Sequence, residues 1–373
     1  MASAPTLPND VSATGFPTSA SFPSLSRGTI VPVDTSITGW GRCLPRRVVT
    51  NNDLSVSLDT SDEWIQSRTG IRERRIASSD ETTAFLAIGA GRAALAVAQI
   101  SAADLDAVIV CTMTPDHGGM PSVASTVQHA LGATRAGGFD LNAACAGFVY
   151  GLGVAHALVA SGLHRAVLLI GAETLSRVLD WQDRTTCVLF GDGAGAVVIE
   201  RSGAANHPPH ASSALRSLVL GADGSRGGAL TIPAGGTVAP ASHETVDARA
   251  HYIHMDGREV YRFAVSTVPE ACRQAIRDAN LEPTDIDLVI LHQANIRILR
   301  SVMESLGIPW ERAFVNLDRY GNTSAASIPI ALTEAVEAGR TSRGHRILIA
   351  GFGGGLTWGA AVIEWRGAPP AVD

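Results

Sequence analysis

From residue 34 onward, short apolar runs alternate with stretches of helical spacing. Val108–Thr112 is β-branched and apolar and predicts a buried strand, followed by a helix over Ser122–Leu131. Gly138–Leu141 predicts a short strand, and Phe148–Ser161 a helix closed by Gly162. Ala166–Ile170 reads as another buried strand, and Val188–Glu200 as a pair of strands around glycines. The second half repeats the plan: Leu288–Leu291 answers Val108–Cys111, and Ala313–Leu317 answers Gly138–Leu141. Likewise Ser327–Ala338 answers the helix after Cys145, and Arg346–Ala350 answers Arg165–Ile170. The expected fold is α/β, built from two copies of one unit, residues 34–203 and 204–373, joined in the Gly/Ala/Pro-rich stretch Ser202–Ala214. Residues 222–250 are expected to be irregular.

The duplication makes three residues stand out. Cys145 and Asn322 fall at nearly equivalent places, each after a strand and at the start of a helix, and His292 follows Val289–Leu291 directly. A pseudo-two-fold axis would bring them together. A thiol, an imidazole and a carboxamide at small-residue turns suit acyl transfer. The thiolate is the nucleophile, and a helix N-terminus lowers a thiol's pKa. An asparagine amide cannot act as a base, but beside a neutral histidine it can hold negative charge developing on an oxygen. Taken singly, each has a plainer reading: a core cysteine, a structural strand-end histidine, or a helix-capping asparagine.

Composition narrows the chemistry. The chain has no lysine, so all 29 basic residues are arginine, which excludes Schiff-base, P-loop lysine and Ser-Lys mechanisms. A formal net charge of -6 implies no general nucleic-acid surface. No apolar run approaches the roughly 20 residues a membrane span needs. Five cysteines without a C-x-x-C pair favour reduced thiols and a cytoplasmic setting over a disulfide framework. Residues 1–33 have the composition of a disordered extension; they lack the apolar core of a secretory signal and the arginines of a transit peptide. Gly191–Ala196 has the wrong glycine spacing for a dinucleotide loop. His251 and His254 have no acidic or cysteine partner in the pattern and receive no role. Trp64 offers an indole for a planar base, while Arg68 and Arg184 offer guanidinium groups for phosphate. Gly353–Gly355 could present a backbone N–H as an oxyanion donor.

Seven segments in one order carry a family resemblance: Asp62–Ile65, Arg68–Arg74, Asn142–Phe148, Phe190–Gly195, His292–Asn295, Gly321–Pro329 and Gly353–Gly359. From about residue 35 to 366 the chain resembles β-ketoacyl-acyl-carrier-protein synthase III. The resemblance implies a thiolase-like fold in five αβαβα layers, a homodimer, and no metal or redox cofactor. It implies that Cys145 takes an acyl group from acyl-CoA. His292 and Asn322 would then stabilise the enolate formed when malonyl-acyl-carrier protein loses carbon dioxide, and the carbanion would attack the acyl-Cys145 thioester. The oxyanion hole would use the Cys145 and Gly354 N–H groups. Trp64, Arg68, Arg184 and Asn295 match positions that bind CoA and its pantetheine arm. Met120 matches the residue a partner subunit inserts at the acyl-pocket floor, where the family often has an aromatic. Without lysine, docking of the acidic carrier protein would fall to arginines such as Arg262, Arg297 and Arg300, and Glu304 departs from the positive charge expected nearby. A sister acyltransferase or starter enzyme of polyketide-type metabolism, and a non-catalytic condensing-enzyme partner, share these features in part. No glutamate is assignable beside Cys145 from sequence.

Overall fold

The computed structural model describes residues 35–201 and 213–365. The proposed extension at 1–33 and most of the proposed join at Ser202–Ala214 lie outside the described residues. Nine strands form the two main sheets: β1 Thr35–Cys43, β2 Ala107–Cys111, β3 Gly137–Leu141, β4 Ala166–Glu173, β5 Gly193–Arg201, β6 Ser213–Ala222, β7 Leu288–Leu291, β8 Arg346–Gly353 and β9 Thr357–Trp365. The first sheet has the order β1-β5-β4-β2-β3 and the second β7-β8-β9-β6. The principal helices are α1 Asp62–Thr69, α2 Thr83–Ala98, α3 Val123–Leu131, α4 Gly147–Ala160, α5 Gly257–Asp278, α6 Ile296–Leu306 and α7 Ser327–Glu337.

Apart from edge strands β3 and β6, the strands of both sheets are buried on both faces, which explains their continuous apolar runs. Side chains alternate between two cores, as the strand period of two requires. In β2, Ile109 joins the central core while Val108 and Val110 join an outer one with α2 and α3. In β8, Ile347 and Ile349 reach the same central core, while Leu348 and Phe352 join the core that carries α5 and α6. The central core holds Phe148 and Leu152 of α4 with Ile328 and Leu332 of α7. These two helices are buried over most of their surface because they lie between sheets. The layers therefore run helix, sheet, helix, sheet, helix.

Two expected strands differ. Val188–Glu200 is not a strand pair; only Gly193–Arg201 is a strand. The Asp192 carboxylate accepts from the Ser176 and Ala77 N–H groups, at 2.9 and 2.7 Å, and so holds residues 188–192 in a turn. Ala313–Leu317 is not a strand either, and only an isolated bridge joins Ala313 to Val289. There the Gln293 side chain accepts from Asn316 N–H at 3.1 Å, and Asn316 donates to Glu334 at 3.0 Å, which diverts the chain from the ladder. Within residues 222–250 the described elements are short: a 3-10 turn at Gly224–Ala229, Leu230–Thr231 paired with His254–Met255, and His243–Asp247.

Candidate active site

The two inner helices start in the same unusual way. A 3-10 turn, Ala144–Ala146, precedes α4, and Ser324–Ala326 precedes α7. Ala144 and Ser324 both take a left-handed backbone, with φ of 45° and 48°, a conformation that side-chain-bearing residues rarely adopt. Before each turn an asparagine side-chain oxygen accepts a backbone N–H: Asn142 from Ala144 at 3.1 Å, Asn322 from Ser324 at 2.8 Å. The internal equivalence is thus Asn142 with Asn322 and Cys145 with Ala325, three residues away from pairing Cys145 with Asn322. The axis still brings both functional residues to the middle.

Cys145 is buried between its own turn and β8. A Cβ on Gly353 would stand 2.8 Å from Cys145 N and 3.0 Å from its Sγ, so only glycine lets β8 pass this close. Burial pushes the Cys145 thiol up to about 12; the Ser324 hydroxyl pulls it down and the Glu173 carboxylate adds to the rise. The expected lowering by the helix start is therefore outweighed, and the resting nucleophile is a thiol. Gly354 lines the cavity beside Cys145. The Thr357 hydroxyl, 2.9 Å from both Ala143 O and Gly354 O, ties together the two backbone segments that flank the sulfur.

His292 is buried at the end of β7 with its ring edge-on to Phe352, centroids 5.3 Å apart. Burial lowers its pKa to about 3, so the imidazole is neutral. Its Nδ1 lies 2.7 Å from Ser327 Oγ, which also receives the Gln293 N–H at 3.3 Å. In the tautomer where the serine hydroxyl donates to Nδ1, Nε2 carries the proton and faces the cavity as a donor. Asn322 has its oxygen occupied, which leaves its NH₂ as the free donor. Its backbone is held by loop 189–191: Asn322 N donates to Leu189 O at 2.8 Å, and Gly191 N donates to Asn322 O at 3.0 Å. Arg74, fully buried, anchors that loop by donating to Val188 O at 2.8 Å, and burial lowers its pKa to about 10.

Cys145, His292 and Asn322 line one cavity of about 220 Å³ that also contains Trp64, Arg68, Arg184 and Asn295. The Arg68 and Arg184 guanidinium carbons sit 5.0 and 5.5 Å from the Trp64 ring centre, so all three candidate CoA residues form one cluster. Asn295 caps α6 by accepting from Arg297 N–H at 2.9 Å, and it donates to Arg68 O at 3.1 Å. A second, mainly apolar cavity of about 450 Å³ also opens at Cys145, lined by Met113, Leu175, Leu230, Ile232 and Ile253 among others. Met120 is 88% exposed and does not line it. Arg262 and Arg297 flank an exposed cleft with Arg68 and Arg258, whereas Arg300 lies apart, stacked 4.4 Å from the Trp310 ring centre.

Sequence reasoning missed Ser324, Ser327, Phe352, Thr357 and Glu173. The two serines sit inside the Gly321–Pro329 segment, where hydroxyls so close to Asn322 were the available signal. Glu173 is fully buried at the end of β4 and acts electrostatically on Cys145. A single acid ending the apolar run Ala166–Ala172 marked it. No glutamate was assignable beside Cys145 in the sequence, whereas the fold brings Glu173 near enough to act on its thiol.

Two stacked sheets with a buried thiol at the head of an inner helix define a thiolase-fold condensing enzyme. Two family models match: 3-oxoacyl-[acyl-carrier-protein] synthase III over residues 139–224, and its C-terminal part over 276–365. The chain is 51% identical to β-ketoacyl-[acyl-carrier-protein] synthase III of Roseiflexus sp. (strain RS-1), over 88% of this chain and 98% of that one. It is 50% identical to the Symbiobacterium thermophilum protein of the same name, over 88% and 97%. Among solved structures, synthase III of Aquifex aeolicus VF5 superposes with a TM-score of 0.80 at 46% identity, over 89% of this chain and 100% of that one. The priming β-ketosynthase of the R1128 polyketide pathway gives 0.81 at 37% identity, over 91% and 98%. The chain belongs to the β-ketoacyl-acyl-carrier-protein synthase III family of condensing acyltransferases.

Proposed function

We propose that the chain carries out the initiating condensation of fatty-acid synthesis, with Cys145 as the acylated nucleophile. The observation that carries this reading is that Cys145, His292 and Asn322 share one cavity with Trp64, Arg68 and Arg184. An acyl-CoA binds with its adenine against Trp64 and its phosphates on the two arginines, and its pantetheine passes Asn295. Cys145 attacks the thioester carbonyl, the Cys145 and Gly354 N–H groups hold the oxyanion, and CoA leaves as its thiolate. Malonyl-acyl-carrier protein then binds with its thioester oxygen facing His292 Nε2–H and the Asn322 NH₂. Two neutral donors stabilise the enolate as carbon dioxide leaves, because they carry no competing charge. The enolate carbon attacks acyl-Cys145, and the cysteine sulfur departs. No step calls for a metal or redox cofactor.

The 450 Å³ apolar cavity beyond Cys145 supports a primer longer than acetyl. The chain works as a cytoplasmic homodimer in this reading. The exposed Met120 is the residue a second copy would receive, and the exposed Phe139 on edge strand β3 is the surface that copy would cover. Arg262 and Arg297 are the carrier-docking candidates beside the cleft, and Arg300 a peripheral one. The test is reconstitution with acetyl-, isobutyryl- and octanoyl-CoA plus malonyl-carrier protein. Formation of β-ketoacyl-carrier protein and free CoA supports the reading, and a strong acetyl preference would contradict the primer assignment.

A further inference from the structure

Acylation requires the Cys145 thiol to lose a proton, and the donors in its cavity cannot take it. Burial lowers the His292 pKa to about 3, so the neutral imidazole is too weak a base, with Nδ1 engaged by Ser327 Oγ, and the Asn322 carboxamide is not a base. Behind the sulfur the chain has built something else. Glu173 lies at the end of β4, 0% exposed. Its Oε2 accepts from Thr114 Oγ at 2.5 Å, and from Thr112 Oγ and the Thr114 and Met113 N–H groups at 3.2 Å each. Its Oε1 accepts from Met113 N–H at 3.3 Å. β4 is pressed against the turn before α7, since a Cβ on Gly171 would stand 2.3 Å from Ala325 O. The Ser324 hydroxyl in that turn is buried and completes no well-formed hydrogen bond. It nonetheless interacts with both the Cys145 thiol and the Glu173 carboxylate and favours the charged form of each. The Ser324 hydroxyl thus sits in a turn that lines the Cys145 cavity on one side and packs against the Glu173 strand on the other, a placement that suits a proton relay.

We propose that Glu173 receives the Cys145 proton through the Ser324 hydroxyl, so that one negative charge is shared between carboxylate and sulfur. The thiol proton passes to Ser324 Oγ as the serine proton passes to Glu173 Oε1. The cysteine S–C bond forms, the CoA S–C bond breaks, and the CoA thiolate takes a proton from solvent. In the condensation the cysteine sulfur leaves as thiolate and recovers its proton from Glu173 by the same path. The charge logic supports the transfer: an ionised Glu173 raises the thiol's pKa, and moving the proton onto it removes that repulsion. Burial sets the Glu173 pKa at about 7, so the relay is ready above neutral pH and blocked by protonation below it. The ionisable groups that feel Glu173 are Cys145 and, on the adjoining end of β2, Cys111, whose thiol burial raises further. Thr112, Met113, Thr114 and Ser324 also face it.

The inference rests on Cys145 as nucleophile. It is tested by single-turnover CoA release from acyl-CoA, with mass spectrometry of the Cys145 adduct, between pH 5.5 and 8.5. Glu173→Gln and Ser324→Ala are each expected to slow acylation about 100-fold, at the lower end of general-base effects, and to lose the rise near pH 7. The double variant should be no slower than either single one, and Glu173→Asp should restore part of the rate. Decarboxylation of malonyl-carrier protein should fall at least ten times less than acylation. Ala144 holds the same backbone conformation as Ser324, so alanine fits at 324. Faster acylation in Glu173→Gln would mean the carboxylate only suppresses the thiolate, and it would overturn the relay. Wild-type rates in Ser324→Ala, or equal loss in both half-reactions, would overturn it too. No adduct on wild-type Cys145 would overturn the underlying function.

Discussion

His292 is proposed to act as a neutral donor, and the strength of its burial makes that checkable by pH alone. An ordinary histidine, pKa ~6.5, is neutral in only about a tenth of molecules at pH 5.5. With burial holding His292 at about 3, essentially every molecule is neutral at that pH. Decarboxylation of malonyl-carrier protein by Cys145→Ala isolates the step from acylation and from the Glu173 titration. Carbon dioxide release should stay within about twofold between pH 8 and 5.5, where an unperturbed histidine would give an approximately tenfold loss. The same shift has a stability sign. Above pH ~6.5 the imidazole is neutral in native and unfolded chains alike and contributes nothing. Below it the unfolded chain binds a proton that the native site refuses, so stability falls towards the native value of about 3. The cost by pH 5.5 is about 1.4 kcal/mol, absent from a His292→Asn variant. A decarboxylation limb with its midpoint near 6.5 would refute the neutral-donor account.

Ser327→Ala should free the His292 tautomer and slow decarboxylation about tenfold, with acylation rates retained; single-turnover assays of each half-reaction separate the two. Trp64→Ala removes the platform on which Arg68 and Arg184 stack, each contact worth about 0.5–2 kcal/mol. The KM for acyl-CoA should rise about 10-fold or more with kcat little changed. Gly353→Ala places a Cβ 2.8 Å from Cys145 N and should reduce acylation at least about tenfold while CoA still binds, as calorimetry would show.

Much of the fold was legible because its strands are buried on both faces and its helices begin with capping residues such as Ser122, which accepts from Ser125 N–H at 3.2 Å. The repeat was visible where both copies kept the pattern, as in β4 and β8. It misled where one copy lost it: Ala313–Leu317 has strand-like composition, but the buried Asn316 and Gln293 take its backbone partners. Cys145, His292 and Asn322 carry chemistry in their residue types, and turn signals surround them, so they could be proposed from sequence. Ser324, Ser327 and Glu173 left only weak signals, because their importance lies in what they touch. A serine near a helix start usually caps it, and a glutamate ending a strand usually faces water. Only packing shows that β4 ends inside the protein against the turn before α7. The register shift between Cys145 and Asn322 is of the same kind, since the matching left-handed residues Ala144 and Ser324 are a backbone property.

The central claim is that Cys145 carries the acyl group. Intact-mass and peptide mass spectrometry after incubation with octanoyl-CoA tests it most directly. The account predicts one acyl adduct, located on Cys145, absent in Cys145→Ala and discharged as β-ketoacyl-carrier protein when malonyl-carrier protein is added. An adduct on Cys111, Cys187 or Cys272 instead, or no adduct with any acyl-CoA, would contradict it.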